Sequence, residues 1–212
     1  MAKSEISSAT LKRLPIYLKY LQSMPENGND NISATAIASG LGYGDVQVRK
    51  DLASVCGMGK PKIGYVKREL IDSLRMFLGY NDTNDAVIVG AGKLGKALLE
   101  YKGFRDYGLN ILAAFDIDES VQCKTETGKC IFPLDRFDEL CQRLKIRIGI
   151  ITVPAECAQQ VCDMMVRNGI KAIWNFAPVN LEVDDDVIVQ NENMAVSLAV
   201  LSGRLYQRMI KG

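Results

Sequence analysis

The chain has 212 residues and no histidine, one tryptophan and six prolines. Without histidine it lacks the usual proton shuttle near neutral pH and the mixed Cys–His zinc sites. Its six cysteines, at 56, 123, 130, 141, 157 and 162, form no C-x-x-C pair. No metal site and no catalytic residue is therefore expected, and the thiols read as small buried apolar groups, with redox-active cysteine as the alternative. No apolar stretch approaches the ~20 residues of a membrane span. The N-terminal MAKSEISSATLKRLP has no apolar segment followed by a small-residue cleavage site, so a cytoplasmic location is expected.

Neither sign of charge is in large excess. The 26 Lys plus Arg against 25 acids give +1, but residues 1–80 carry 11 bases against 7 acids and the remainder 15 against 18. Such a split can mark a nucleic-acid-facing module beside a neutral or acidic one. The apolar fraction of 48% and charged fraction of 24% are those of an ordinary globular chain.

In the basic segment, Ser7 or Ser8 can cap a helix whose apolar positions Leu14, Tyr17, Leu18 and Leu21 share one face. The turn-rich PENGNDN ends it. Ser33 then caps a short helix, ATAIAS, closed by Gly40, and Asp45 caps a third, VQVRKDLASV. Three compact helices with a glycine-bearing turn before the third make a helix-turn-helix. The glycine- and lysine-rich CGMGKPKIGYVKREL suits a wing hairpin, and GYNDTN a linker. From Asp85 strand and helix patterns alternate, which implies a parallel sheet covered on both faces, before a final helix from about Glu192 to Lys211. The expected domains are residues 1–80, a winged helix-turn-helix for DNA; 85–190, a Rossmann-like domain for NAD(H); and 191–212, a dimerisation helix.

In VGAGKLGKAL, the glycines Gly90, Gly92 and Gly95 lie in G-x-G-x-x-G spacing between strand and helix, with Ala91, Lys93 and Leu94 between them. The first glycine permits the turn, the second lets a pyrophosphate approach the backbone, and the third lets helix and strand pack closely. The helix N-terminus offers free N–H groups to phosphate. Asp116 ends the second strand, beside Ile117, and suits the ribose hydroxyls of NAD+ or NADH while repelling the extra phosphate of NADP(H). Asp118 reads as a solvated neighbour. Thr152, Val153 and Pro154, and Asn175, Phe176, Ala177 and Pro178, follow later strands and are expected to border the nicotinamide half. The alternative is that the glycines serve only a tight strand-to-helix connection.

On the third helix, Val48, Leu52 and Val55 share one face and point into the core, leaving Gln47, Lys50 and Ser54 opposite and Arg49 on the flank. These types contact bases and phosphates, and Lys60 and Lys62 on the wing could reach an adjacent groove. A solvated face on a protein-interaction module is the alternative.

LPIYLKYL, VQVRKDL, GKPKIGYVKREL, VGAGKLGKAL, FDID, ITVP and NFAPV together make the chain resemble the Rex family of redox-sensing transcriptional repressors over nearly its full length. The resemblance implies a homodimer of winged-helix and Rossmann domains with the last helix exchanged, binding palindromic operator DNA and responding to NADH relative to NAD+. It also implies a switch contact between a basic residue of the first helix and an acid opening the last helix, near a tyrosine. Lys19, Asn193 and Tyr101 match those positions, so a neutral amide replaces the acid and lysine replaces the usual arginine fork. Pro61 in the wing is a second departure. Met194, Leu198, Leu201 and Leu205 form an apolar stripe on the last helix, suited to a partner subunit or to the chain's own sheet.

The expected function is that of an NADH-responsive repressor, not an enzyme. One alternative is a related protein that binds operator and nucleotide but hardly responds to NADH. The other is a small NAD-dependent oxidoreductase, for which Tyr101, Lys93 and Cys157 are the available acid–base candidates.

Overall fold

The structure, a computed structural model, describes residues 6–25, 31–81 and 84–211. The chain divides into two compact units, Met1–Asp82 and Thr83–Gly212.

The first unit packs four helices on one core: α1 (Ser8–Ser23), α2 (Ala34–Leu41), α3 (Asp45–Cys56) and α4 (Lys67–Phe77). Ser7 caps α1 by accepting from the Thr10 N–H, and Ser33 caps α2 by accepting from that of Ala36. The core joins Leu14, Tyr17, Leu18 and Leu21 of α1 to Ile37 of α2, Val48 and Leu52 of α3, and Leu70 and Leu74 of α4. α2 does not stop at Gly40. That glycine lies inside the helix, where a Cβ would sit 2.0 Å from the Tyr20 hydroxyl of α1, and the cap is Gly42 in left-handed geometry. Gly44, rather than Asp45, occupies the N-cap of α3; Asp45 is its first residue.

A short strand β1 (Asn31–Ile32) pairs antiparallel with β2 (Tyr65–Val66). β1 lies where turn alone was expected; most of that turn, residues 26–30, falls outside the described residues. The wing is a tight turn in which the Ile63 N–H donates to the Lys60 carbonyl at 3.2 Å. Pro61 fits its fixed φ to this turn, and Lys62 takes the left-handed region at φ 65°.

The second unit has six parallel strands in spatial order β5-β4-β3-β6-β7-β8: β3 (Asn84–Val89), β4 (Leu109–Asp116), β5 (Cys130–Pro133), β6 (Ile148–Ile151), β7 (Ala172–Asn175) and β8 (Ile188–Asn191). Successive residues of β3 feed opposite cores. Val87 and Val89 join the cluster under α6 (Phe137–Leu144) and α7 (Ala155–Arg167), while Ala86 and Ile88 join the one under α5 (Lys93–Glu100). The strand order is that of a doubly wound Rossmann sheet, with its switch point between β3 and β6, where a ligand crevice opens. β5 was not expected from the sequence, since its CIFP is short, ends on proline and lies at the sheet edge. The final helix is α8 (Met194–Lys211). Among the described residues no helix is long and apolar enough to cross a membrane.

Candidate functional site

Two separate sites emerge, one in each unit. In the first, Arg49, Lys50, Lys60 and Lys62 line a groove of about 560 Å3 between α3 and the wing, whose floor includes Ala53, Gly59 and Tyr65. Gln47 and Ser54 are exposed on α3 outside the groove wall. Ser54 turns its hydroxyl back onto the Asp51 carbonyl at 2.7 Å. Arg49 is held rather than free, because its guanidinium meets Asp45 at 2.7 Å and Asp45 also accepts from Thr35 of α2 at 2.7 Å.

Behind this face lies a cluster that pattern reading overlooked. Asp51 of α3 is only 5% exposed and accepts from Thr10, Arg13 and Tyr17 of α1, with both Asp51 oxygens engaged by the Arg13 guanidinium. Burial alone would raise the Asp51 pKa, but the hydrogen bonds from Arg13, Tyr17 and Thr10 outweigh it and hold the carboxyl below its ordinary value. Burial, followed by the bond to Asp51, pushes the Tyr17 phenol up to about 12. The available signal was the spacing of Thr10, Arg13 and Tyr17, which puts polar groups on an otherwise apolar helix face.

In the second unit, a cavity of about 690 Å3 opens at the carboxyl ends of β3, β4 and β6. Gly90, Gly92, Asp116, Ile117, Thr152, Val153 and Pro154 all line it. Gly90 has φ 100°, and a Cβ there would lie 2.8 Å from the Thr152 backbone. Thr152 returns its hydroxyl to the Gly90 carbonyl at 2.6 Å, tying β6 to the turn. Gly92 has open space where a side chain would be, and the N-terminus of α5 has no side-chain cap, unlike α1 and α2. No side chain caps the first-turn N–H groups of α5, as a pyrophosphate site requires.

Asp116 accepts from the N–H groups of Ala91 at 2.5 Å and Asp118 at 2.9 Å, leaving further lone pairs for a ligand hydroxyl. Ala91 is buried, Lys93 exposed and Leu94 half-buried. Val89, Leu134, Cys157, Val161, Gln160, Met164 and Arg167 complete the wall, and of these only Cys157, an acid–base candidate, was singled out from the sequence. Their helical spacing on α7, immediately after β6, was the signal that could have found the last three.

Asn175, Phe176, Ala177 and Pro178 do not line this cavity. Asn175 is fully buried, and its amide staples the loop by donating to Ala177, Val179 and Asn191 and accepting from the Ala177 N–H. Ala177 is buried beside it, Phe176 packs on Trp174 with ring centroids 4.5 Å apart, and Pro178 is exposed.

Of the three residues assigned to a switch, Lys19 is exposed on α1. In the other unit, Tyr101 follows α5 and meets Phe104 edge-on at 5.0 Å. Asn193 caps α8 by accepting from the Val196 N–H at 3.0 Å. Leu198, Leu201 and Leu205 of α8 are 66%, 63% and 60% exposed. Cys141 and Cys162 are buried, whereas Cys123 and Cys157 are exposed. No group of three or more metal-ligating side chains occurs among the described residues.

The comparisons with known proteins follow the same division. A family model described as "CoA binding domain" matches residues 81–179, and one described as "Putative DNA-binding protein N-terminus" matches residues 5–53. The redox-sensing transcriptional repressor Rex of Pelotomaculum thermopropionicum is 42% identical over 98% of this chain and 98% of its own length. The Rex protein of Carboxydothermus hydrogenoformans is 41% identical over 93% and 95%. Among solved structures, RSP in complex with β-NAD+ and operator DNA superposes with a TM-score of 0.90 at 35% identity, covering 98% of this chain and 95% of that one. RSP in complex with β-NADH gives 0.84 at 34% identity, covering 98% and 97%. With such identity sustained across both units, this chain belongs to the Rex family of redox-sensing transcriptional repressors.

Proposed function

We propose that the chain is a transcriptional repressor that binds palindromic operator DNA as a homodimer, takes NAD+ or NADH in each Rossmann unit, and releases the operator when NADH binds. The observation that carries this is the near-full-length match to a repressor solved with both β-NAD+ and operator DNA. The chain's own residues fit both ligands. Lys50, Lys60 and Lys62 supply phosphate-seeking charge around a helix-turn-helix groove, with Arg49 held ready beside them. Gly92 and the uncapped α5 suit a pyrophosphate, and Asp116 suits an unphosphorylated ribose. Gly90, Ala91, Lys93, Leu94, Gly95, Ile117, Thr152, Val153 and Pro154 form or support that cradle. Asn175 to Pro178 hold the adjoining loop in shape.

An exposed apolar α8 needs a partner, and a second copy provides the two-fold symmetry that a palindrome demands. Lys19, Tyr101 and Asn193 are the proposed switch positions. A repressor works where the DNA is, which for this chain is the cytoplasm.

The test uses a fluorescent operator duplex selected from a random pool, with anisotropy followed as the full chain is added. Specific, salt-dependent binding that NADH reverses is expected. Equal affinity for operator and scrambled duplex would overturn DNA reading, and indifference to NADH at saturating nucleotide would overturn the switch.

A further inference from the structure

We propose that Asp45 and Thr35 are positioning residues for base reading: Thr35 of α2 fixes the Asp45 carboxylate, and Asp45 holds the Arg49 guanidinium in place for a guanine of the operator. This rests on the DNA-binding reading above and deepens it.

Asp45 is an acid one turn from Arg49 on the helix that carries Lys50, and an acid beside DNA phosphates weakens binding to every sequence. It does not cap α3, whose N-cap is Gly44 and which has no side-chain cap bond. Both of its oxygens are engaged elsewhere. Oδ1 accepts from the Thr35 hydroxyl at 2.7 Å, and Oδ2 accepts from Arg49 Nη2 at 2.7 Å. The first bond crosses from α2 to α3, so the carboxylate is fixed by a pair of helices rather than by its own side chain alone. The second spans one helical turn with the acid N-terminal to the base, which is the favoured order.

The Arg49 side chain is 64% exposed and lines the groove together with Thr35. One of its five N–H groups is engaged, and the others have no protein acceptor among the described residues. A guanidinium with donors to spare pairs with guanine O6 and N7, two acceptors side by side in the major groove. Adenine presents one acceptor and an amine there, and the cytosine amine repels a donor.

Two effects of Asp45 oppose each other. An exposed ion pair adds little to stability by itself. An arginine ordered before it meets DNA, however, loses less side-chain freedom on binding, which is worth a several-fold gain at one base pair. Repulsion between Asp45 and phosphate acts on all DNA alike, whereas the tether helps only where Arg49 finds its base. Removing the charge should therefore move operator and scrambled duplex in opposite directions.

Operators carrying single base-pair changes are titrated by anisotropy with the full-length wild type, Arg49→Ala, Asp45→Asn, Thr35→Val and Thr35→Ser. Arg49→Ala should flatten the preference at one pair, for guanine. Asp45→Asn, which removes the charge and turns one acceptor into a donor, should flatten the same pair. It should bind the operator about 3- to 10-fold more weakly and scrambled duplex as well as wild type or better. Thr35→Val, which deletes only a hydroxyl at an exposed position, should weaken the operator about 2- to 4-fold at that pair, and Thr35→Ser should keep the wild-type preference. On an Arg49→Ala background neither Asp45→Asn nor Thr35→Val should weaken the operator further, which separates positioning from direct contact. Thermal melts establish that each variant folds, and the Thr35 pair carries the test if Asp45→Asn does not.

An Asp45→Asn protein with the wild-type ratio of operator to scrambled affinity would overturn the inference. So would a Thr35→Val protein that matches wild type at the guanine pair, or whose loss persists in full without Arg49. An Arg49→Ala protein with unchanged preferences at every pair would overturn it too, although specific binding would leave the repressor reading standing. A wild-type chain without specific operator binding would take both away.

Discussion

A Cβ placed on Gly95 would lie 1.9 Å from the carbonyl oxygen of Gly90, so the first turn of α5 sits directly against the end of β3. No side chain fits between them. Gly92, two residues after Gly90, has nothing within 4 Å of the same hypothetical atom. Two glycines of one motif are therefore under different constraints, packing at one and room for a ligand at the other.

Alanine at the two positions should separate these roles. Gly95→Ala should lose roughly 1–3 kcal/mol of stability by overpacking. Gly92→Ala should shift stability by less than about 1 kcal/mol while weakening dinucleotide binding at least about 10-fold. Urea denaturation and NADH fluorescence titration measure the two effects, and a Gly92→Ala protein with wild-type NADH affinity would remove the pyrophosphate from this turn.

Cofactor choice should rest on Asp116. Asp116→Asn retains an acceptor for the Ala91 N–H and removes the charge that would repel a 2′-phosphate. The expected outcome is an NADH-to-NADPH preference narrowed about 10-fold or more, read from competition titrations with the two nucleotides.

The Arg13–Asp51 pair should dominate the stability of the first unit. Asp51→Ala leaves a guanidinium and the Tyr17 hydroxyl without their acceptor, which costs about 3–5 kcal/mol in comparable buried pairs. The pH dependence has a definite sign. Because the folded Asp51 carboxyl lies below its ordinary value, its contribution is complete above the unfolded pKa of about 4 and is lost as pH falls through the folded value. With no histidine in the chain, stability should be nearly flat from about pH 5.5 to 7.5 and fall only in strong acid, as urea midpoints across pH would record.

At the other end of the chain, Asn193→Ala removes the α8 cap and should destabilise that helix by about 1 kcal/mol, whereas Asn193→Asp keeps the cap. Asn193→Asp combined with Lys19→Arg should enlarge the NADH response if these positions form the switch. Leu201→Asp, on the exposed apolar face, should convert a dimer to monomer in sedimentation velocity. A dimer that survives it would show that α8 is not the contact.

What the sequence revealed depended on how local the signal was. Apolar runs such as that of β3, the glycine spacing and the capping serines are written in neighbouring residues, and the sheet, the glycine turn before α5 and the first two helix starts could be read from them. β1 and β5 are two and four residues long and exist because a partner strand passes beside them, which leaves no periodic trace. Gly40 looked like a helix end because its true partner, the Tyr20 ring, is distant in sequence. Asp51 and Arg13 are 38 residues apart, so nothing in the local pattern of either helix announces their buried pair. The Asn175 amide holds its own loop through Ala177 and Val179, contacts that its place after a strand does not announce.

Coupling of nucleotide occupancy to operator affinity is tested by titrating NADH into a preformed complex of the full chain with its operator. Anisotropy should fall to the free-duplex value as NADH saturates, while NAD+ at the same occupancy leaves the complex largely intact. A complex that persists unchanged with NADH bound to both protomers would contradict it.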